Sequence, residues 1–378
     1  MRIYINLKEL LLSFILAFYI FLSQFKLVDS IEILTIGNIV ITIFLILYFK
    51  KNIHVDKYFM LWLVSMVITQ IIFHIKDTTV NLALMMLFYS MCVMFYSNNI
   101  VRSYFEKIYY LLGVFATIVV IIQFIQIFIF NTNPIFQFLM NIDLQANARP
   151  SGIFSEPQAY VSFIIFLVVL CLKNNKLIKA MFFSIGIICS TSSTGIFLLC
   201  FIWAVYYFFE KHFFQKMSIS KILMFILIIA IIYMFFNISV FDFSLQKIRN
   251  INFSMDVRLT RGFYTYFHLP ISTKIIGVGF YNIYNYLVIN NLYFSWIFGS
   301  LIPEYITGLS GILVYFGIIP FIFFMLMIVK HYKENRKSKY KLMLIGIVVL
   351  LMSIQTTLFN AWFVFIFGTY LYYIKEDF

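Results

Sequence analysis

LIKAMFFSIGIICSTSSTGIFLLCFIWAVYYFFE, residues 177–210, is the stretch on which the fold turns. Read as one tilted helix, it would reverse the sidedness of everything before or after it. Read as a hairpin, it returns the chain to the side it came from. Lys173, Lys176 and Lys179 lie at its start, and Lys211, Lys216 and Lys221 follow it. Basic residues at both ends favour a hairpin with both feet in the cytoplasm, where Lys and Arg collect. Its turn is Ser190-Thr-Ser-Ser-Thr-Gly195, a cluster that breaks helices. Each arm of about 15 residues reaches only about 22 Å, short of the ~30 Å hydrocarbon core of a bilayer. The apex, with the hydroxyls of Ser192 and Ser193, is therefore expected below the outer surface, where those hydroxyls need partners or water. Either a wet recess or thinned bilayer reaches them, or the turn is capped by its own hydroxyls.

The rest of the chain explains why a membrane enters the reading at all. Of 378 residues, 63% are hydrophobic and only 11% charged, against about 25% charged in soluble domains. A soluble protein of this length could not hide so much apolar surface, so the expectation is one all-α, polytopic membrane domain over residues 1–378. The net charge of +13 would suggest nucleic acid in a soluble protein. Here the positive residues fall in short clusters between apolar runs, the mark of cytoplasmic loops. Cys92, Cys171, Cys189 and Cys200 lie in or beside apolar segments and form no metal-ligand spacing. The basic start and the apolar run Leu10–Phe25 lack a small-residue cleavage site and read as a retained first helix.

At about 20 apolar residues per span, candidate helices fall near 8–25, 31–49, 58–75, 79–97, 105–130, 157–172, 177–191, 195–210, 220–238, 303–329, 341–357 and 359–374, about twelve in all. Alternating the sides from a cytoplasmic N-terminus leaves eight of the 28 Lys and Arg residues outside: Lys26, Lys76, Arg149, Lys247, Arg249, Arg258, Arg261 and Lys274. Both termini are then cytoplasmic. Two outer segments, roughly 131–157 and 239–302, are too long to be turns, and long loops in compact proteins tend to be functional.

The first outer segment ends in Arg149-Pro-Ser-Gly-Ile-Phe-Ser-Glu-Pro157. Pro157 suits the first turn of a helix, which places Ser155 and Glu156 at its cap. The N–H groups of that turn attract anions, and Arg149 adds a forked cation suited to phosphate. In the second segment, Asn252 or Ser254 is placed to cap a helix through MDVRLTRGFYTYFH, on which Arg258, Arg261, Thr265 and His268 recur at helical intervals. Gly277 and Gly279 suggest a tight turn, and the Tyr, Asn and Trp residues beyond it suit a membrane interface. A surface salt bridge for Arg149 and Glu156, or lipid head groups for Arg258 and Arg261, would be the ordinary explanation. Three arginines with a carboxylate and a helix N-terminus on one side of the membrane make instead a site for a pyrophosphate. No Asp, Glu, Lys or Arg stands mid-span, which speaks against ion- or proton-coupled transport. No Gly-rich nucleotide loop, HExxH pair, GxSxG elbow or DxD pair is present, so no cofactor and no metal is expected.

The order of these features, an outer RPSGIFSEP opening a helix, an STSSTG hairpin, then a long outer loop with paired arginines and GVGFYN, resembles the Wzy-type oligosaccharide repeat-unit polymerases of O-antigen, capsule and exopolysaccharide pathways. The resemblance covers roughly residues 100–330, with RxSGxFxEP its most specific pattern. It implies a GT-C-like integral glycosyltransferase of the bacterial inner membrane, acting at the outer face on undecaprenyl-diphosphate-linked oligosaccharide. Its partners would be that lipid-linked substrate, membrane lipid, a chain-length regulator and a repeat-unit flippase, and not nucleic acid. Arg149 and Glu156 match the motif's basic and acidic positions; Arg258 and Arg261 match the arginines of the long outer loop. On this reading the arginines hold the diphosphate and Glu156 is the general base, with His268 or Asp256 next in line because a carboxylate beside Arg149 is a weak base. Ser192, Ser193 and His268 complete the candidate substrate contacts. The O-antigen ligases, which transfer glycan to lipid A core, share this architecture and stand second. A lipid-glycan flippase stands third, since it would need a polar path through the bundle.

Overall fold

The computed structural model describes residues 10–11, 13–14, 56–73, 99–136, 149–154, 156–209, 259–280, 282–292, 306–354 and 361–375. The sequence-predicted spans at 31–49, 79–97 and 220–238 lie outside these residues, as does nearly all of 8–25. The described chain is helical, with no strand among the described residues. We number its helices α1 (Lys57–Phe73), α2 (Asn99–Phe128), α3 (Pro157–Lys173), α4 (Leu177–Cys189), α5 (Ser193–Phe208), α6 (Leu259–His268), α7 (Ile271–Ile276), α8 (Ile283–Ile289), α9 (Gly308–Gly311), α10 (Ile318–Asn335), α11 (Lys339–Ile354) and α12 (Ala361–Lys375). One stretch of 26 residues, Ser103–Phe128 within α2, is long and apolar enough to cross a membrane, with a mean hydropathy of 2.5 over its most apolar 18 residues. The helices α1, α3, α4 and α5 are apolar but shorter.

The hairpin forms. α4 and α5 are separate helices, joined by Ser190–Ser192 with Thr191 in the left-handed region at φ 53°. At its foot Asn174 and Asn175 close α3 and turn the chain into α4, so α3, α4 and α5 run up and down in sequence. α3 is the central post. Its side chains from Tyr160 to Leu172 are all buried, and α2, α4, α5, α11 and α12 pack around it. Gly195 lets α5 close on α3, because a Cβ there would stand 2.6 Å from Val161 Cγ2.

A second group forms around α1 and α10, which lie against each other. Trp62 packs in a tilted arrangement against Phe324 and Phe367 with ring centroids 5.2 and 5.4 Å apart, and Phe59 meets Phe367 at 5.6 Å. Asp56 starts α1. Its Oδ1 accepts from the N–H groups of Tyr58 (2.9 Å) and Phe59 (3.0 Å), an N-cap that also places a negative charge at the helix's positive end. Its Oδ2 faces His331 Nε2 at 3.5 Å and Lys330 Nζ at 3.6 Å near the end of α10. His331 Nδ1 is 2.6 Å from the hydroxyl of Tyr370 on α12. One buried polar junction thus ties three helices at one end of the bundle.

The outward faces of these helices are as apolar as the inward ones. Leu61, Val64, Ile68 and Ile71 on α1, Leu111, Phe115, Ile118 and Ile122 on α2, and Ile319, Ile322, Leu326 and Val329 on α10 are all exposed at helical spacing. Helices that are apolar all round belong in a large core or in lipid.

The expected single span 303–329 is not continuous. The chain runs through α9 and a π-helical turn, Ile312–Phe316, then breaks at Gly317 (φ +84°) before α10 begins. Hydropathy is high on both sides of the glycine, so the break leaves no trace in an apolar window. What fills it is the segment Gly277–Phe280 from the long stretch 239–302. Val278 N–H donates to Val314 O (2.9 Å) and Gly279 N–H to Tyr315 O (3.0 Å). Gln70 Oε1 on α1 accepts from Phe280 N–H at 3.0 Å. Two glycines permit the crossing: a Cβ on Gly277 would lie 2.2 Å from Tyr315 O, and one on Gly317 would lie 2.1 Å from Ile275 O. Asp56 to Gln70 and His331 to Gly317 are equal legs of 14 residues, so the crossing stands roughly 21 Å along the helices from the Asp56–His331 junction.

Candidate functional site

The motif Arg149–Pro157 is folded by one side chain on α2. Gln123 is fully buried. Its amide N–H groups donate to Gly152 O (2.7 Å) and Ile135 O (2.8 Å), and its Oε1 accepts from Ser151 N–H (3.1 Å) and Gly152 N–H (2.7 Å). The tight turn that results is closed by Phe154 N–H to Ser151 O (3.2 Å) and by Ser151 Oγ–H to Phe154 O (2.8 Å). Gly152 occupies the left-handed position at φ +71°, and a Cβ there would meet Val120 at 3.0 Å. Ser151, Ile153 and Phe154 are buried. The middle of the motif is thus architecture, and its two charged ends are what it displays. Sequence reasoning missed Gln123. The available signal was Gln123 and Gln126 at i and i+3 in an otherwise apolar helix; Gln126 Oε1 in turn accepts from Ile135 N–H at 2.9 Å.

Glu156 is the N-cap residue of α3, extended at φ −140° and ψ 151°, with Pro157 in the first turn. Its carbonyl accepts from Ala159 N–H (3.0 Å) and Tyr160 N–H (3.3 Å). Its exposed carboxylate caps nothing and makes no ion pair among the described residues, so the salt bridge with Arg149 considered from the sequence is not formed. Arg149 is half-buried. One turn into α3, Tyr160 donates its hydroxyl hydrogen to Thr117 on α2 (3.0 Å), which fixes how α3 enters the bundle.

The hairpin apex stands beside this end of α3, since Gly195 touches Val161 and Gly186 touches the Tyr160 hydroxyl. Ser190, Thr191 and Ser192 are buried, and Ser193 is half-buried. Ser190 donates to Ile187 O (2.7 Å), while Ser192 Oγ accepts from Gly195 N–H (3.4 Å) and caps α5. Of the two readings of the apex, the geometry gives Ser190 and Ser192 to the turn itself.

Within the long stretch 239–302, α6 covers Leu259–His268, the later part of the expected helix. Arg258 and Asp256 lie outside the described residues. Arg261 is 1% exposed, among the largest fully buried side chains of the chain. α6 packs against α9 and the π-turn, and Gly262 allows close approach, since a Cβ there would fall 2.1 Å from Ser310 Oγ. Ser310 and Thr307 share a hydrogen bond of 2.9 Å beneath it. The face proposed from the sequence divides: Arg261 and Thr265 turn inward, whereas His268 is exposed. The His268 ring stacks on Tyr264 at 3.9 Å and its Nδ1–H donates to Tyr264 O at 2.9 Å.

Two charged groups therefore stand on different supports. Arg149 and Glu156 are set by α2 and α3, and Arg261 by α6, α9 and the glycine crossing. α11 packs against both α3 and α9. Among the described residues no three His, Cys, Asp or Glu side chains converge as metal ligands. No protein-family model matches the chain, and no curated protein matches it.

Proposed function

We propose that the protein is an integral membrane glycosyltransferase that polymerises lipid-linked oligosaccharide repeat units at the outer face of the membrane. The observation that carries this reading is the buried guanidinium of Arg261, held on an outer-loop helix that is strapped into an apolar bundle. A guanidinium is a fixed positive charge with a forked set of donors suited to phosphate. An exposed carboxylate that caps nothing, Glu156, supports a second, chemical role at the same end of α3 as the hairpin apex. The all-round apolar helices support a span through lipid, and about twelve crossings remain part of this proposal.

In the reaction, a hydroxyl of the incoming lipid-linked repeat unit attacks the anomeric carbon of the growing chain. The bond from that carbon to the carrier's phosphate oxygen breaks, and a glycosidic bond replaces it. Undecaprenyl diphosphate departs with the bonding electron pair, stabilised by the arginines as preorganised countercharge. Glu156 takes the proton from the attacking hydroxyl. Direct displacement inverts the anomeric centre.

Arg261→Lys keeps the charge but loses the fork, and polymer formation is expected to fall by about 10²-fold, with single repeat units accumulating on the outer side. Full-length polymer that also reaches its final acceptor in this variant would overturn the diphosphate site. Repeat units trapped on the inner side would mark a flippase instead, and polymer that forms normally but fails to reach lipid A core would mark a ligase.

A further inference from the structure

Thr265 is 4% exposed, and its hydroxyl has no hydrogen-bond partner among the described residues. That is unusual for a threonine in a helix, which has a local acceptor in the carbonyl four residues back. Other hydroxyls in this chain use it: Thr117 donates to Gly113 O at 2.8 Å, Ser162 to Gln158 O at 2.9 Å and Ser184 to Ala180 O at 2.8 Å. For Thr265 the residue four back is Arg261. Side chains at this spacing stand about 5–6 Å apart on one helix face, and both of these are buried. A desolvated hydroxyl with nothing to bond destabilises the fold, and such a group in a native structure calls for a missing partner.

We propose that Thr265 donates its hydroxyl hydrogen to a phosphate oxygen of the diphosphate that Arg261 holds. The proposal rests on the reading given above. Two donors spaced along one helix face suit a group that carries several oxygens. The guanidinium supplies the charge, and the hydroxyl fixes orientation with a single directed bond. No proton is lost from either group, so Thr265 binds and orients, and the chemistry stays with the base and the leaving group.

The test uses the full chain in lipid nanodiscs, with undecaprenyl diphosphate and inorganic pyrophosphate as separate probes. Thr265→Val keeps the shape and removes the hydroxyl. It is expected to bind both probes about 10-fold more weakly, with a Tm equal to or above that of the parent protein, because the unsatisfied group is gone. Thr265→Ser is expected to keep the affinity. Should the valine variant not fold, Thr265→Ala is read in the same way. An unchanged affinity, or a lowered Tm, overturns the proposal by making the hydroxyl structural. Weakening towards the lipid probe alone also overturns it, by moving the contact off the phosphates. Arg261→Lys, measured in parallel, separates the two readings. If it weakens binding and Thr265→Val does not, only the threonine's role fails; if neither does, the diphosphate site fails with it.

Discussion

Gln123 shows how much one residue decides here. It makes four hydrogen bonds to three residues of two segments, and Gln123→Leu leaves the buried Ser151 and Gly152 N–H groups without acceptors. Each such loss costs about 1–3 kcal/mol, so the variant is expected to melt markedly lower in a thermal unfolding series, while Gln126→Leu, with one such bond, falls less. Gly152→Ala is a second test at this scale. Its φ of +71° disfavours any side chain, and Val120 must give way as well, for an expected loss of about 1–2 kcal/mol. Both variants should shift Arg149 relative to Glu156 and, on the function proposed above, lower polymer yield more than a neutral change in stability would. The sequence marked the charged ends of this motif as candidates, because charge in an apolar chain stands out. It could not show that the residues between them are held by a glutamine some 30 positions upstream, because a side chain's reach to a distant backbone leaves no local pattern.

At the scale of elements, the crossing of Gly277–Phe280 with the broken helix and the junction at Asp56 are the two devices that set helix positions. Gly317→Ala and Gly277→Ala push a Cβ to within 2.2 Å of backbone carbonyls that cannot move aside, so both are expected to unfold or misassemble the α6–α10 region. Gly346→Ala meets only the tip of the Phe201 ring at 2.1 Å and should be tolerated far better; equal losses in all three would refute the crossing as the cause. The Asp56 carboxyl has a pH signature. Burial pushes its pKa up, but His331, the Phe59 N–H and Lys330 outweigh it and hold the group well below the usual carboxylate range. A lowered folded pKa contributes stability that is complete above the unfolded value of about 3.9 and is lost as pH falls through the folded one. Asp56→Asn still caps α1 but lacks the charge. It is expected to melt below the parent protein at pH 5–8, with the gap closing as pH drops below about 4. A gap that is unchanged into acid would show that the charge contributes nothing. α7 and α8 had no counterpart in the sequence reading beyond an interfacial stretch, since six and seven residues are too few to show a period.

At the scale of the whole molecule, five lysines lie over tyrosine rings. Lys107 lies 5.7 Å from Tyr104, Lys173 4.1 Å from Tyr373, Lys179 4.4 Å from Tyr110, Lys330 4.8 Å from Tyr58 and Lys339 4.3 Å from Tyr206. All five lysines belong to the side that the charge distribution assigned to the cytoplasm, and tyrosines at such a level suit a membrane–water interface. In a variant lacking the native cysteines, Glu156→Cys and His268→Cys are expected to react with an impermeant maleimide from outside, and Lys337→Cys only after permeabilisation. Reaction of 156 and 268 from opposite sides would remove the shared outer site. Sequence alone determined the helical class, most helix positions among the described residues and the hairpin at 190–195, because each follows from local hydropathy, charge and turn chemistry. Only the tertiary structure decided that the apolar run at 303–329 is broken, that a distant loop segment fills the break, and that Arg261 is buried while His268 is not. Those outcomes depend on which backbone groups find partners in distant segments, and hydrogen bonds from residue 280 to 70 and from residue 279 to 315 have no signature in any window of sequence.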